Sequence, residues 1–204
     1  MEKFSVLKSI AVPWLMPNVD TDIITPMRRM LMNPNELDKY SFEAYRFVDG
    51  NGDKGELSLE FPLNQEGCKK AKIMIVGENF GGGSSRETAP MAIAKLGVRC
   101  LIGSSFGGIF FKNCFQQGIL PIVLPKGKVI ELASQKGEFE IDLPQKVIRT
   151  PLGEVIAFEV ENLRLMSLSE GLDDVGMTQK KTALIEKFFK KDRAKRKWLY
   201  NTGA

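Results

Sequence analysis

Residues 72–125 read KIMIVGENFGGGSSRETAPMAIAKLGVRCLIGSSFGGIFFKNCFQQGILPIVLP. Three short apolar runs stand out: IMIV at 73–76, VRCLI at 98–102 and ILPIVL at 119–124. Each is too short for a helix and lacks polar alternation, the pattern of strands buried on both faces. Between them, APMAIAKL is closed by Gly97 and GIFFKNCFQQ by Gly118, the spacing and stop signal of two helices. Strand–helix–strand–helix–strand with short links predicts parallel strands joined by right-handed crossovers.

Upstream, Phe4–Val12 reads as a first strand, NVDTDIITP at 18–26 as a turn, and Asn35–Phe47 as irregular or helical. A polar turn, VDGNGDKGE, is followed by LSLEFPL at 57–63, whose alternation predicts a strand. Downstream, KVIELASQK predicts a helix. EFEIDL, KVIRT and EVIAFEV, broken by Pro and Gly, predict an antiparallel meander, and residues from Asn162 onward read as helical. The expected fold is one α/β domain over residues 1–204, with a small parallel core sheet, flanking antiparallel strands and a basic C-terminal helix or tail at about 180–204.

Length and composition set limits. A chain of 204 residues is long enough to bury roughly 70% of its unfolded surface. The absence of histidine excludes a Ser-His-Asp triad, a Cys-His dyad and every imidazole-bound zinc site. Cys68, Cys100 and Cys114 contain no C-x-x-C pair. They cannot fill a four-thiolate cluster site, and an odd, widely spaced set predicts reduced thiols rather than a disulfide framework. No segment is long and apolar enough to span a membrane, and the N-terminus has no signal-peptide pattern, so a cytoplasmic location is expected. Residues 180–197 hold nine Lys/Arg against two Asp/Glu, so the overall charge of +4 conceals a mildly acidic body. Leu184, Ile185, Phe188 and Phe189 fall at helical spacing there, which predicts an amphipathic helix with a solvated charged face rather than a nucleic-acid contact.

The segment GGGSSRE, residues 81–87, joins a predicted strand to a predicted helix. Ligands of open α/β sheets bind at the carboxyl ends of strands, where helix N-termini present unpaired N–H groups to anions. Glycines permit close backbone approach, Ser84 and Ser85 supply hydroxyls, and Arg86 supplies a planar fork for a carboxylate or phosphate. No lysine completes a Walker loop and Arg86 occupies the last glycine position of a dinucleotide fingerprint, so neither ATP nor NAD is implied. A purely structural reading is also available: Ser84 and Glu87 match a capping box, or Thr88 caps a helix with Pro90 in its first turn. A catalytic serine here would need its alkoxide stabilised or its substrate polarised, work suited to a metal cluster that this chain cannot hold.

NVDTDIITP, ENFGGGSSRETAP (78–90), SFGGIFFKNCFQQGILPIVLP (105–125) and GLDDVGMT (171–178), in that order, resemble the small subunits of 3-isopropylmalate dehydratases, the swivelling β/β/α domain of the aconitase superfamily. YRF at 45–47 and the following polar insert are similar to the bacterial type. The resemblance implies a hydro-lyase that interconverts 2- and 3-isopropylmalate by dehydration and rehydration in leucine biosynthesis. It also implies a separate large subunit carrying a [4Fe-4S] cluster, with no cofactor bound by this chain and a small hydroxy-dicarboxylate as substrate. By that resemblance Ser84 matches the base that takes the proton from the carbon beside a carboxylate, and Asp22 matches an aspartate lining the site. Ser85 and Arg86 match carboxylate-binding groups in the loop that includes Gly83. Thr25 stands at a position that is polar in aconitases, and Arg28 and Arg29 lie in the substrate-recognition loop.

The chain departs from the family at two points. Gly82 stands where a cysteine is usual, and Thr88 where a histidine follows Ser-Ser-Arg-Glu. These keep open a related hydratase acting on homoaconitate or a methylated malate. A non-catalytic anion- or nucleic-acid-binding module is the reading from a different class.

Overall fold

The computed structural model describes residues 1–200. In chain order the elements begin with β1 (Val6–Trp14) and three short helices, α1 (Thr21–Ile24), α2 (Met27–Met32) and α3 (Glu43–Arg46). Then come β2 (Ile73–Val76), α4 (Thr88–Lys95), β3 (Cys100–Gly103), α5 (Gly108–Gln116), β4 (Leu120–Val123) and α6 (Lys126–Ser134). The chain continues through β5 (Glu138–Asp142), β6 (Val147–Arg149) and β7 (Val155–Ala157) to α7 (Asn162–Glu170), α8 (Asp174–Gln179) and α9 (Thr182–Lys195).

The three apolar runs form adjacent parallel strands, as their sequence predicts. The seven strands make one sheet in the order β4-β3-β2-β1-β5-β6-β7. β1 is the seam: Ala11–Trp14 pair in parallel with Ile73–Val76, while Val6–Ile10 pair antiparallel with Glu138–Asp142. One nine-residue strand thus serves both the parallel core and the meander.

All residues of β2 and β3 are buried. Their period of two divides them between two cores. Ile73, Ile75, Cys100 and Ile102 pack with Val129 and Leu132 of α6. Met74, Val76 and Leu101 pack with Ala89 and Ile93 of α4 and with Phe110 and Cys114 of α5. A strand covered on both faces has no polar face to alternate with, which is why these runs are continuous in sequence.

The second core extends into the long β1–β2 connection through aromatic rings. Trp14 meets Phe42 and Phe61 edge-on at 5.2 Å each, and Phe80 at 6.4 Å. Phe80 in turn meets Phe110 at 5.7 Å.

One expectation is corrected. LSLEFPL is not a strand: Leu57 makes a single bridge to Phe47, and Pro62–Asn64 form a 3₁₀ turn. The Asn64 amide donates to the carbonyls of Arg46 and Ser58 at 2.6 and 2.7 Å, so the segment folds onto itself and its alternation finds no partner strand. The amphipathic C-terminal segment forms α9 with its charged residues in solvent, and most of its apolar residues are open as well. Leu184, Phe188 and Phe189 are exposed, and neither core contains a residue beyond Leu168. Residues 201–204 of the predicted tail lie outside the described residues.

Because Phe80 is fully buried and joins the strand core to the aromatic cluster, Phe80→Ala is expected to lower unfolding free energy by about 3–5 kcal/mol. Urea denaturation followed by near-ultraviolet circular dichroism checks this.

Candidate active site

The carboxyl ends of β1, β2 and β3 continue as three loops that stay side by side. The Gly81 N–H donates to the Val19 carbonyl at 2.6 Å, and the Thr21 N–H to the Gly82 carbonyl at 3.1 Å. On the other flank the Gly107 N–H donates to the Phe80 carbonyl at 2.9 Å, and Phe80 N–H to the Ser105 carbonyl at 3.2 Å. Side chains reinforce the array. Asn79 Nδ2 donates to Asn18 Oδ1, its backbone N–H donates to Ser105 Oγ, and Thr21 Oγ1 donates to the Ser84 carbonyl at 3.1 Å.

Glycine is required where these loops cross. Gly81 has φ +72°, and a Cβ there would lie 2.1 Å from the Phe110 ring. A Cβ on Gly107 would lie 2.4 Å from the Gly81 carbonyl oxygen. Any side chain at either position would push the middle loop away from its neighbours.

The middle loop presents Gly83, Ser84 and Ser85 to solvent, while the Arg86 side chain is largely buried. Arg86 grips Asp22 with two bonds, Nη1 to Oδ1 at 2.5 Å and Nη2 to Oδ2 at 2.9 Å. Its Nη1 also donates to the Thr25 carbonyl at 3.2 Å. Hydrogen bonds from Arg86 hold the Asp22 carboxyl below its ordinary range, against a smaller opposing effect of burial. Asp20, by contrast, is structural, since its Oδ1 accepts the Ile23 N–H and caps α1.

The capping box does not form. α4 begins at Thr88 with Pro90 in its first turn, Glu87 precedes it in helical conformation, and no side chain caps it. The Thr88 hydroxyl points instead to Met30 Sδ at 3.4 Å. Helix initiation therefore leaves the hydroxyls of Ser84 and Ser85 uncommitted.

The two predicted arginines of α2 part company. Arg28 is exposed, with Nη2 3.5 Å from Asp53 Oδ2. Arg29 is buried, its Nε donating to Glu43 Oε2 at 2.8 Å and its Nη1 to Asp53 Oδ1 at 2.8 Å, with Nη2 on Glu43 Oε1. A side chain so occupied does not reach an open loop. Arg29 is corrected from a substrate-binding candidate to an internal one. Gly83, Ser84, Ser85, Asp22 and Arg28 remain on the exposed side, with Arg86 largely buried against Asp22.

The cysteines do not fit an iron–sulfur cluster. Cys100 lies inside β3 and Cys114 inside α5, on opposite faces of the sheet, and burial pushes both thiols up. Cys68 lies in neither core. No group of three or more His, Cys, Asp or Glu poised to hold a metal occurs among the described residues, and no helix among them is long and apolar enough to cross a membrane.

A family model of the aconitase C-terminal domain matches residues 1–127. The chain belongs to the aconitase C-terminal domain family. The matched segment contains the whole loop array. The chain is 40% identical to the 3-isopropylmalate dehydratase small subunit of Xanthobacter autotrophicus, over 98% of this chain and all of that one. It is 42% identical to the protein of the same name from Rhodospirillum rubrum, over 98% of this chain and 97% of that one. Among solved structures it is similar to the 3-isopropylmalate dehydratase of Methanocaldococcus jannaschii, with a TM-score of 0.65 and 28% identity over 89% of this chain and 98% of that one. The mixed α/β sheet with its parallel core is therefore the fold of this aconitase-type chain.

Sequence reasoning missed the residues that support the site: Asn18, Asn79, Thr21, Ser105 and Gly107. The Gly-Gly pair at 107–108 was the one visible signal, since a close approach at a helix start calls for glycine. The polar supports become visible only when three loops from distant segments lie together.

Asp22 and Arg86 make a titration prediction. A depressed carboxyl stabilises the fold fully above its unfolded pKa near ~3.9, and that contribution is lost as pH falls through the lower folded value. In Arg86→Gln the Asp22 carboxyl is expected to titrate at higher pH than in the unaltered chain, read by carbon-13 NMR of the Asp22 side chain.

Proposed function

We propose that this chain is the small subunit of a 3-isopropylmalate dehydratase, the hydro-lyase that interconverts 2- and 3-isopropylmalate in leucine biosynthesis. One observation carries the reading. The loop Ser84-Ser85-Arg86 stands open at the ends of three parallel strands, and its serines are freed from capping. The full-length likeness to proteins named as small subunits supports it. The chain is a single swivel domain acting in the cytoplasm beside a large subunit that carries a [4Fe-4S] cluster. When bound, that cluster supplies a Lewis acid for the substrate's hydroxyl and carboxylate.

This chain's own residues handle the proton and the carboxylates. Ser84 Oγ, as its alkoxide, takes the proton from the carbon beside a carboxylate and becomes the neutral hydroxyl. The electron pair left behind forms the carbon–carbon double bond as hydroxide leaves from the neighbouring carbon. Water returns with the opposite orientation to give the isomer. Ser85 and Arg86 bind carboxylate, with Arg86 held in plane by Asp22, so the fork is oriented before substrate arrives. Arg28 meets the second carboxylate.

An exposed serine is a poor base in water, because solvent neither lowers its pKa nor excludes competing reactions. A second surface must close over the loop, and a small subunit has one to meet. The face of α2 bears on substrate choice. Met27, Leu31 and Met32 are 53%, 79% and 63% exposed. They lie on the helix that Met30 joins to Thr88, three residues past Ser85 in the chain. An apolar surface beside Arg28 suits a branched alkyl group and rejects a third carboxylate.

Ser84→Ala is expected to lower kcat by a factor of roughly a thousand or more, as loss of a proton-transfer group does, with the large subunit bound as before. The test is anaerobic reconstitution with the cluster-loaded large subunit, with alkene formation followed by absorbance and complex formation by gel filtration. Full activity in that variant, or activity of the unaltered chain without a large subunit, would refute the reading.

A further inference from the structure

Helix α2 is inside out. Its one buried residue is an arginine, while Met27, Leu31 and Met32 face outward. A six-residue helix capped by no side chain has little stability of its own, so its orientation comes from what anchors it. The anchor is an ion cluster. The Arg29 guanidinium holds both oxygens of Glu43 and one of Asp53, and it lies 3.9 Å from the centre of the Tyr40 ring. Glu43 Oε1 also accepts the Gly52 N–H at 3.0 Å. The Phe42 N–H donates to the Ile24 carbonyl at 3.0 Å, from a left-handed backbone with φ 57°. A Cβ on Gly52 would meet the Tyr40 ring at 2.8 Å, so this close approach calls for glycine. Residues 24, 29, 40–43 and 52–53 thus form one connected block behind α2.

Stability alone does not explain such a cluster. Well-packed apolar residues often replace a buried ion pair without loss, whereas removing one partner leaves an uncompensated charge. What an arginine adds is direction: a planar fork held at both ends fixes the rotation of its helix in a way that a sliding apolar contact does not. Asp53 extends this to the outer face, because its second oxygen lies 3.5 Å from Arg28.

We propose that Arg29 is a positioning residue for substrate selection: through Glu43 and Asp53 it fixes α2 so that Met27, Leu31, Met32 and Arg28 face the branched dicarboxylate. This rests on the function proposed above. Arg29 does not touch substrate; it acts through the helix it turns.

The test uses the reconstituted two-subunit enzyme with Arg29→Met/Glu43→Leu, which removes both buried charges and leaves Asp53 half exposed beside Arg28, and with Arg29→Lys, which keeps the charge but not the fork. The double variant is expected to fold. Its KM for 3-isopropylmalate should rise about tenfold or more, the scale of a misplaced apolar contact, with kcat within about threefold. KM for a hydroxy diacid lacking the isopropyl group should move far less. Arg29→Lys should not restore selectivity. In the isolated small subunit, backbone amides of 28–33 should exchange roughly tenfold faster or more in the double variant.

Unchanged selectivity and unchanged exchange in a folded double variant would overturn the proposal. Equal loss on both acids, tracking a smaller folded fraction, would reduce the cluster to a structural role and overturn it too. If the unaltered enzyme does not turn over isopropylmalate, the functional reading fails first. The amide exchange then still decides whether Arg29 anchors α2.

Discussion

Everything at the candidate site depends on the close backbone contact of three loops that leave parallel strands. Gly81 bonds back to Val19, and Gly107 bonds to Phe80. Parallel pairing of β1, β2 and β3 brings their carboxyl ends to one edge. The glycines then let the chains continue in contact for several residues past the strands. Without that contact Asp22 and Arg86, 64 residues apart in sequence, would not meet. The serines would hang from an untethered loop.

The same arrangement explains why the site is open. The rigid parts are below, in β2, β3 and the helices that cover both sheet faces. The chemical groups stand on top: hydroxyls without caps, an arginine already oriented by a carboxylate, and a short helix turned apolar side out. Each of these features is costly or idle in an isolated chain. Together they form one open face of the chain. Groups held in place before a ligand arrives do not subtract their ordering from the energy of binding.

Several elements were legible because one local pattern matched one environment. IMIV and VRCLI are continuous apolar runs since both faces of β2 and β3 are covered, and ILPIVL follows them at the sheet edge with only Val123 of β4 exposed. The family resemblance was carried by motifs along the chain, and the match over residues 1–127 covers three of the four, leaving out 171–178. Failures came where a local pattern had more than one solution. LSLEFPL alternates like a strand but pairs only through the Leu57–Phe47 bridge, and the Asn64 amide closes it into a turn. Ser84 and Glu87 stand at capping-box spacing, yet Thr21 already holds the Ser84 carbonyl and the helix starts later.

The sequence by itself determined the strand–helix alternation, the exclusion of histidine chemistry, and the set of hydroxyl, carboxylate and guanidinium groups available to the loop. These depend on composition and on periodicities of two and 3.6, which a linear chain displays directly. Only the tertiary structure decided which of two adjacent arginines turns outward. Arg28 and Arg29 differ by one position on a helix, hence by about 100° in direction. That difference acquires meaning only when Glu43, Asp53 and Tyr40 arrive on one side from other parts of the chain. Pairing of this kind is long-range, and no local periodicity records it.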